Sequence, residues 1–367
     1  MSMIWLAKND EMLLSQATQA RMMATNCLSS PNSAGADLKI GSIIIELSVK
    51  HAPLSDGLVL DYQDKTASNC SLTVWMNENG ETIVEFRLGM AVNRLAISEY
   101  LSDPPEQLRI TYSWDTIKKQ ALLSVEDPEN GSLMQAESDN PLPFPLTLIN
   151  ALISQNDATS IAPRVDFLAV SDQIEPVGFI PSIAKGSPIE TPFGMVPIEQ
   201  LKPKDMVMTA DHGPQPVRWV CSRTVPMTGL FCPLRLRAPY FGLTRDILIA
   251  PEQRIVFEND EVEYLFGEES ILAEARHIAN QTNVIPEASN AKNIDLYQLL
   301  FDQHQIINVA GCKMESLFIG NITDNLEVCN STLLSELSVH EIPRHIALAR
   351  PLLRSYEAMT LQVGAVH

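Results

Sequence analysis

Short runs of alternating apolar and polar residues fill positions 38–135, which is the pattern of half-buried β-strands. The runs 72–76 and 84–88 keep this alternation on either side of Asn79-Gly80. Because Asn-Gly favours the tight turn that joins antiparallel strands, these runs predict a β-hairpin with one face in solvent. Similar short runs continue to residue 125, and strands at this spacing favour a β-sandwich.

The next region, 136–175, has a different composition. It is rich in prolines and contains one continuous apolar segment, 146–153. Because prolines interrupt both helices and sheets, the region predicts a linker that carries a single helix. We therefore expect an N-terminal domain over 1–135 and a domain boundary near residue 175.

Strand and turn patterns return after the boundary and extend over 176–325. The tail, 326–367, contains two segments of helical character, 332–337 and 347–358. The predicted fold class is therefore mainly β: an N-terminal β-sandwich, a linker, a C-terminal all-β domain and a short helical tail.

The run Thr111-Tyr112-Ser113-Trp114-Asp115 leads into a strand in a way that resembles lectin-like β-sandwiches. That resemblance implies a jelly-roll arrangement and a carbohydrate or protein ligand of the N-terminal domain. The alternative for Trp75 and Trp114 is packing in the core, since sandwich cores commonly contain a buried tryptophan. The sequence alone leaves both interpretations open.

The charge of the chain limits its partners. Its 367 residues include 26 Lys and Arg against 45 Asp and Glu, which gives a net charge of −19. Because phosphate binding requires clustered Lys and Arg, we predict no nucleic-acid partner. No apolar run approaches the roughly 18 residues of a membrane span, and residues 1–8 lack the pattern of a secretory signal peptide. We expect a protein that is cytoplasmic or exported by a non-classical route.

The cysteines do not indicate a metal site. All six stand apart, without a C-x-x-C pair or another zinc spacing: Cys27, Cys70, Cys221, Cys232, Cys312 and Cys329. His340 and His345 are five residues apart with Pro343 between them, which does not fit a helical His-Glu-x-x-His motif. We predict no metal and no cofactor, and we expect the cysteines to be buried apolar side chains.

In residues 180–205, Ser182 is followed along the chain by a turn glycine, a short strand and Lys202-Pro203-Lys204-Asp205. This order resembles the opening of a Hedgehog/intein (Hint) autoprocessing domain of the bacterial type. In that family the first residue is a nucleophile, usually cysteine, where this chain has Ser182. Further landmarks follow in the family's order: 211–219, 245–254, 299–304, 315–316 and 350–358. The resemblance spans about 176–360 and implies an all-β domain.

Autoprocessing in this family moves the upstream acyl group from the peptide nitrogen onto the nucleophile. The resulting ester or thioester is then opened by water, a thiol or another nucleophile. The reaction needs an activated nucleophile, a proton donor for the leaving nitrogen and a polar hold on the carbonyl oxygen. The resemblance assigns the last two roles to a Thr/Ser-x-x-His motif and to a further His or Asp downstream.

This chain departs from the family pattern where chemistry is expected. The motif Ser-Pro-Gln-His-Arg is replaced by residues 250–254, Ala-Pro-Glu-Gln-Arg, so the hydroxyl and the imidazole are absent. Gln298 stands where the family has a histidine, whereas His304 matches a family position. Glutamine does not titrate near neutrality as histidine does. We therefore predict a vestigial catalytic site: Ser182, Gln253, Gln298 and His304, with Ala250 at the position of the lost hydroxyl.

Three functional hypotheses follow from these patterns. In the first, the Hint-type domain has little or no self-cleavage and is kept for structure or interaction. In the second, it is a slow autoprotease that cuts between Pro181 and Ser182 by an N–O acyl shift. In the third, the N-terminal sandwich binds a carbohydrate or a surface. The first hypothesis is the one that the missing titratable groups favour.

Overall fold

The computed structural model describes most of the chain. The described residues are 3–7, 37–49, 57–64, 69–77, 80–98, 105–129, 131–154, 157–280, 282–288 and 293–364. The chain divides into two compact units, Met1–Gly178 and Phe179–His367. Cys27 and Asn79, which the sequence singles out, lie outside the described residues.

The N-terminal unit is built mainly of antiparallel strands. They are β1 (Met3–Ala7), β2 (Asp37–Leu38), β3 (Ile40–Ser48), β4 (Leu58–Gln63), β5 (Cys70–Met76), β6 (Thr82–Leu88), β7 (Ala91–Ile97), β8 (Gln107–Asp115), β9 (Gln120–Asp127), β10 (Ser132–Asp139), β11 (Phe144–Pro145), β12 (Thr159–Ile161) and β13 (Val165–Ser171). A six-stranded sheet has the order β1-β13-β3-β8-β9-β10, and a five-stranded sheet has the order β12-β4-β5-β6-β7. A small pair, β11-β2, lies beside them.

The two larger sheets enclose one apolar core, as the alternating pattern predicts. Strands β5 and β6 pair over their whole length, from Cys70 with Leu88 to Met76 with Thr82, so the predicted hairpin is confirmed. Trp114 is fully buried and stacks on Phe144, with ring centroids 4.0 Å apart. Its indole Nε1 donates a hydrogen bond of 3.0 Å to the carbonyl of Leu38. Trp114 is therefore a core residue of the sandwich.

Residues 136–175 do not form the linker that their prolines predict. The apolar segment does form a helix, α1 (Leu146–Ser154), but β13 then enters the six-stranded sheet between β1 and β3. Pro163 precedes β13 and Pro176 follows it, so these prolines mark the ends of a strand, where they are tolerated. The structure therefore assigns this region to the N-terminal unit, which ends at Gly178.

The C-terminal unit is also mainly β. Its strands are β14 (Ile183–Ala184), β15 (Pro188–Thr191), β16 (Gly194–Pro197), β17 (Met206–Thr209), β18 (Gly213–Pro216), β19 (Trp219–Pro226), β20 (Leu234–Leu236), β21 (Ile247–Ile249), β22 (Arg254–Phe257), β23 (Ile271–Glu274), β24 (Val284–Pro286), β25 (Asn293–Leu300), β26 (Ile306–Val309) and β27 (Cys312–Glu315). Its helices are α2 (Asp260–Phe266), α3 (Leu326–Ser331) and α4 (Ser355–Gly364).

Two sheets share the core of this unit. One has the order β19-β25-β14-β21-β20-β24 and holds the short strand that follows Ser182. The other runs β16-β15-β26-β27-β22-β23, with the β17-β18 hairpin attached to β26. Apolar residues of both sheets, such as Ile249, Leu299 and Ile307, belong to one buried cluster.

The tail differs from its sequence prediction in where the helices lie. Helix α3 ends at Ser331, a 3-10 turn covers Leu333–Glu336, and α4 begins only at Ser355. Residues before α4 instead make a parallel bridge between Leu352 and Leu272 of β23. Pro351 explains the difference, because it disfavours a helical conformation at the residue before it and cannot donate a backbone hydrogen bond.

The described cysteines all have free thiols, and four of the five are buried: Cys70, Cys221, Cys312 and Cys329. Burial raises the pKa of Cys70 to about 11 and that of Cys312 to about 12. These thiols therefore pack as small apolar side chains, as the sequence predicts. Within the described residues, no helix has the length and apolar character that crossing a membrane would require.

Candidate functional site

Ser182 lies near the start of the C-terminal unit, and backbone hydrogen bonds hold it between β25 on one side and the end of β21 on the other. Its N–H donates to the carbonyl of Tyr297 in β25 at 3.2 Å, and its carbonyl accepts from the N–H of Ala250 at 2.7 Å. The next residue, Ile183, pairs with Ile249 and with Tyr297. Only 4% of Ser182 is exposed, so the serine is a buried residue held by sheet hydrogen bonds.

Gln253 lies in the turn between β21 and β22, beside Ser182. Its backbone N–H donates to Ala250 O at 3.1 Å, which closes the turn. Its side-chain Nε2 donates to two backbone carbonyls, Arg254 O at 3.0 Å and Glu315 O at 3.3 Å. Its Oε1 accepts the hydrogen bond that Ser182 Oγ donates. The residue is 1% exposed, and all its side-chain hydrogen-bonding groups have protein partners.

Gln298, on β25, completes a closed ring with these two residues. Its Nε2 donates to Ser182 Oγ at 2.9 Å and to Gln253 Oε1 at 3.1 Å. Its Oε1 accepts from the backbone N–H of Leu299 at 3.2 Å. We call Ser182, Gln253 and Gln298 the Ser–Gln–Gln ring. The partners assign both amide orientations, because carbonyls can face only the NH₂ group and N–H groups only the oxygen.

The ring has the geometry of a catalytic site but not its proton chemistry. The Ser182 hydroxyl donates to one amide and accepts from another, so both roles are already filled. General acid–base catalysis needs a side chain whose pKa lies near the working pH, and a carboxamide has none. As arranged, the ring can hold Ser182 in place but cannot take its proton.

Ala250 occupies the position at which the family places a hydroxyl. Its N–H binds Ser182 O and its carbonyl accepts from Gln253 N, so its backbone contacts two members of the ring. Its side chain is a buried methyl group, with the residue 3% exposed. The structure therefore brings together Ser182, Ala250, Gln253 and Gln298, as the motif order predicts, and leaves the hydroxyl position apolar.

His304 does not join the ring. Its Nδ1 accepts a hydrogen bond from the backbone N–H of Ala349 at 2.9 Å. Its Nε2 lies 3.2 Å from Glu315 Oε2, although the alignment is not that of a hydrogen bond. Arg254 Nη1 approaches the same carboxylate oxygen at 3.3 Å. His304 thus contacts Glu315, and Glu315 contacts Gln253 through its backbone carbonyl.

Other polar groups near His304 were not assigned a role from the sequence. His345 is buried, its Nε2 lies 3.1 Å from Phe301 O, and the backbone N–H of Ile319 donates to its Nδ1 at 3.4 Å. Burial is the main reason why the pKa of His345 lies below its usual value. Arg254 and Glu315 each lie within a motif that matches the family, but only the structure shows that they meet.

Two further histidines of the C-terminal unit, His212 and His277, are not members of the ring. His212 is in the β17-β18 turn, where its Nδ1 lies 2.9 Å from Gln305 Oε1. His277 is half-buried in a 3-10 turn after β23. The side-chain hydrogen bonds of the ring connect its three members with one another and with backbone groups of Arg254, Glu315 and Leu299, so neither imidazole takes part in them.

Comparison with protein families supports the resemblance drawn from the motifs. Residues 181–321 match the family model described as "Hint domain". The C-terminal unit contains a Hint domain. The match begins one residue before Ser182, so the serine stands at the head of the domain. A search of curated proteins gave no match.

Several solved structures match part of this chain. A bacterial intein-like domain from Clostridium thermocellum matches with 15% identity and a TM-score of 0.28, over 38% of this chain and 100% of that chain. The MchDnaB-1 intein matches with 11% identity and a TM-score of 0.25, over 37% and 99%. Ruminococcus gnavus IT-sialidase CBM40 matches with 15% identity and a TM-score of 0.27, over 37% and 78%. The predicted fold class is confirmed in that the chain is mainly β, with an N-terminal β-sandwich and a C-terminal Hint domain.

Proposed function

We propose that the Hint domain of this protein does not cleave itself and serves as a folded structural or interaction domain. The observation that carries the proposal is the Ser–Gln–Gln ring. The Ser182 hydroxyl is buried, and its hydrogen-bond partners are two carboxamides. A serine without an adjacent base is a weak nucleophile, and the loss of a general acid or base typically lowers a rate by ~10²–10⁴.

The leaving group presents a second obstacle to cleavage. In an acyl shift at Pro181-Ser182, the nitrogen of Ser182 must gain a proton as its bond to carbon breaks. That nitrogen donates its hydrogen to Tyr297 O, which cannot supply a proton. The same hydrogen bond belongs to the pairing of β14 with β25 and stabilises the peptide bond in its place. The site therefore lacks both a base to take the proton of the Ser182 hydroxyl and an acid to protonate the Ser182 nitrogen.

The test is the intact mass of the full chain, freshly purified and again after a day with hydroxylamine, which opens esters. We expect one species of 367 residues in both samples. Cleavage before Ser182 would produce fragments of 181 and 186 residues. Ser182→Ala is the matched control, since it removes the only hydroxyl of the ring. A break that appears in the wild-type chain and not in Ser182→Ala would establish the slow autoprotease instead.

We propose a second candidate function for the N-terminal sandwich, the binding of an acidic sugar. Its support is a row of polar residues that the register aligns across the five-stranded sheet: Asp61, Thr73, Glu85 and Arg94. Thr73 Oγ1 and Gln63 Nε2 each donate to Asp61 Oδ1 at 2.9 Å. These hydrogen bonds hold the Asp61 carboxylate in a fixed orientation at one end of the row. Exposed Arg94 could bind a carboxylate, and polar oxygens could bind sugar hydroxyls.

The CBM40 structures supply the compound to try, because one of them is bound to α2,3-sialyllactose. Isothermal titration of the full chain with this sugar should give measurable binding that Arg94→Ala weakens by at least about tenfold, the loss typical of a charged hydrogen bond. Lys118→Ala is the control, since Lys118 is an exposed basic residue of the same unit but lies in the turn after β8, outside the five-stranded sheet. No heat of binding for the wild-type chain, or equal loss in both variants, would reject this site.

A further inference from the structure

The Hint domain extends beyond the residues that match the family model. That match ends at residue 321, yet three side chains of the tail, Leu353, Ala358 and Leu361, belong to the buried core of the C-terminal unit. They are 7%, 0% and 5% exposed, which is the burial of core residues. Burial of these apolar side chains stabilises the packing of the tail against the core of the C-terminal unit. The tail from Ala349 to Leu361 is therefore part of the folded domain.

Polar contacts fasten the first half of this tail at two further points. Leu272 N–H donates to Pro351 O at 2.8 Å and Leu353 N–H donates to Leu272 O at 2.9 Å, which adds the tail to β23. Arg350 binds both carboxylate oxygens of Asp211, with Nη1 at 3.0 Å and Nη2 at 2.5 Å. These hydrogen bonds hold the pKa of Asp211 below its usual value. A bidentate pair fixes orientation as well as distance.

One residue before these attachments, the tail contacts His304. Ala349 N–H donates to His304 Nδ1, so that nitrogen carries no proton. In the neutral ring the proton is then on Nε2, which faces the Glu315 carboxylate at 3.2 Å. In the opposite tautomer, the Nε2 lone pair would face the Glu315 carboxylate, and the Nδ1 proton would face the Ala349 N–H. Both arrangements are repulsive. Both neighbours therefore select the same tautomer.

We propose that the tail segment Ala349–Leu361 is a clasp that orients His304 and, through Glu315, the side chain of Gln253. His304 is a positioning residue in this arrangement, because it contacts neither Ser182 nor the peptide bond before it. Glu315 connects the two ends: its carboxylate faces His304, and its carbonyl accepts from Gln253 Nε2. This inference concerns the frame of the site and holds whether or not the chain cleaves itself.

NMR of the ¹⁵N-labelled full chain tests the proposal. The wild-type spectrum should show the His304 proton on Nε2. In Arg350→Gln, the amides of Leu272, Ala349 and Leu353 should exchange with solvent about two- to fivefold faster, the effect of losing a partly exposed ion pair. The side-chain amide signals of Gln253 should shift in the same variant. Arg350→Lys should restore part of both effects, because it keeps the charge but not the bidentate geometry.

Arg235→Gln is the matched control, since Arg235 also binds a carboxylate, that of Glu287, with Nη2 2.7 Å from Oε2. It should change neither the three amides nor the Gln253 signals. His304→Asn should move the Gln253 signals while Leu353 remains attached through its core contacts. A wild-type proton on Nδ1, or Gln253 signals that stay unchanged in Arg350→Gln, would overturn the proposal. Because neither readout is cleavage, failure here is distinguishable from failure of the proposed function.

Discussion

At the scale of single residues, Gln253 reproduces the hydrogen bonds of a neutral imidazole without its proton chemistry. Its oxygen accepts from Ser182 as an unprotonated ring nitrogen would, and its NH₂ group donates to Arg254 O and Glu315 O as a ring N–H would. The difference is that an amide cannot carry a proton from one atom to another. Under the proposed function, the site keeps the geometry of a proton transfer site without a group that can transfer the proton.

Gln253→Leu tests whether the ring is a structural element. The change removes the acceptor of the Ser182 hydroxyl and the donor to the carbonyls of Arg254 and Glu315, all in a buried site, which should lower the free energy of unfolding by about 1–3 kcal/mol. Denaturant unfolding of the full chain, followed through the C-terminal unit, measures the loss. Gln215→Leu is the control, because Gln215 is on the surface and donates to His212 O at 2.9 Å. Equal losses in the two variants would show that the ring stabilises nothing.

His345 gives the Hint domain a dependence on pH. Its pKa in the folded state lies below the ordinary 6.5, because burial disfavours the charged ring. The folded state therefore binds fewer protons than the unfolded state below that value. Stability is complete above about pH 6.5 and falls as the pH is lowered. Nearby Asp302 opposes the shift and His304 adds to it.

Urea unfolding at pH 7.5 and pH 5.5 checks this direction. We expect a smaller free energy of unfolding at pH 5.5 for the wild-type chain, and a smaller difference between the two conditions for His345→Asn. His340→Asn serves as the control, since His340 is exposed in the same tail and should leave the difference unchanged. A wild-type chain that is equally stable at both pH values contradicts the argument.

The sequence predicts the members of the ring but not its closure. The order of motifs places residues 250–254 and 298 near Ser182, and the structure brings them into contact. No sequence pattern states that Gln298 bonds both partners, because that depends on how β14 sits between β21 and β25. His304 matches a family position, yet its contacts are set by Ala349, which is 45 residues away in sequence.

At the scale of elements, β13 is the strand that local patterns hide. Its residues 167–170 form a continuous apolar run rather than an alternating one, and they are buried on both faces of the sheet. Such a run lacks the period of two by which the hairpin β5-β6 is recognised. The flanking prolines then favour a linker over a strand. The segment becomes a strand because it pairs with β3, more than 100 residues earlier in the chain. Local sequence patterns do not reveal such a long-range contact.

Leu168→Ala tests whether β13 is part of the sandwich core. Leu168 is 3% exposed and lies in the main apolar cluster of the N-terminal unit, so the change should cost about 2–5 kcal/mol of unfolding free energy. Ile174→Ala, in the same region but 43% exposed, should cost far less. Thermal unfolding of both variants gives the comparison. Equal thermal unfolding midpoints for the two variants would indicate that residues 136–175 are a linker and not part of the sandwich.

At the scale of the whole molecule, each unit has its own core. One apolar cluster lies between the sheets of the N-terminal unit and another within the C-terminal unit. A unit with its own core can in principle fold alone. Fragments 1–178 and 179–367, expressed separately, should therefore each give the dispersed NMR signals of a folded protein. Either fragment lacking them would show that the units need each other.

We propose that the two glutamines and the methyl group of Ala250, rather than the fold, keep the Hint domain from cleaving itself. The most direct measurement is the intact mass, with and without thiol, of Ser182→Cys alone and of Ser182→Cys combined with Ala250→Thr, Gln253→His and Gln298→His. We expect thiol-dependent cleavage before residue 182 in the combined variant and little in Ser182→Cys, since nucleophile and base act as a unit. Equal cleavage of both variants, or cleavage of the wild-type chain, would contradict it.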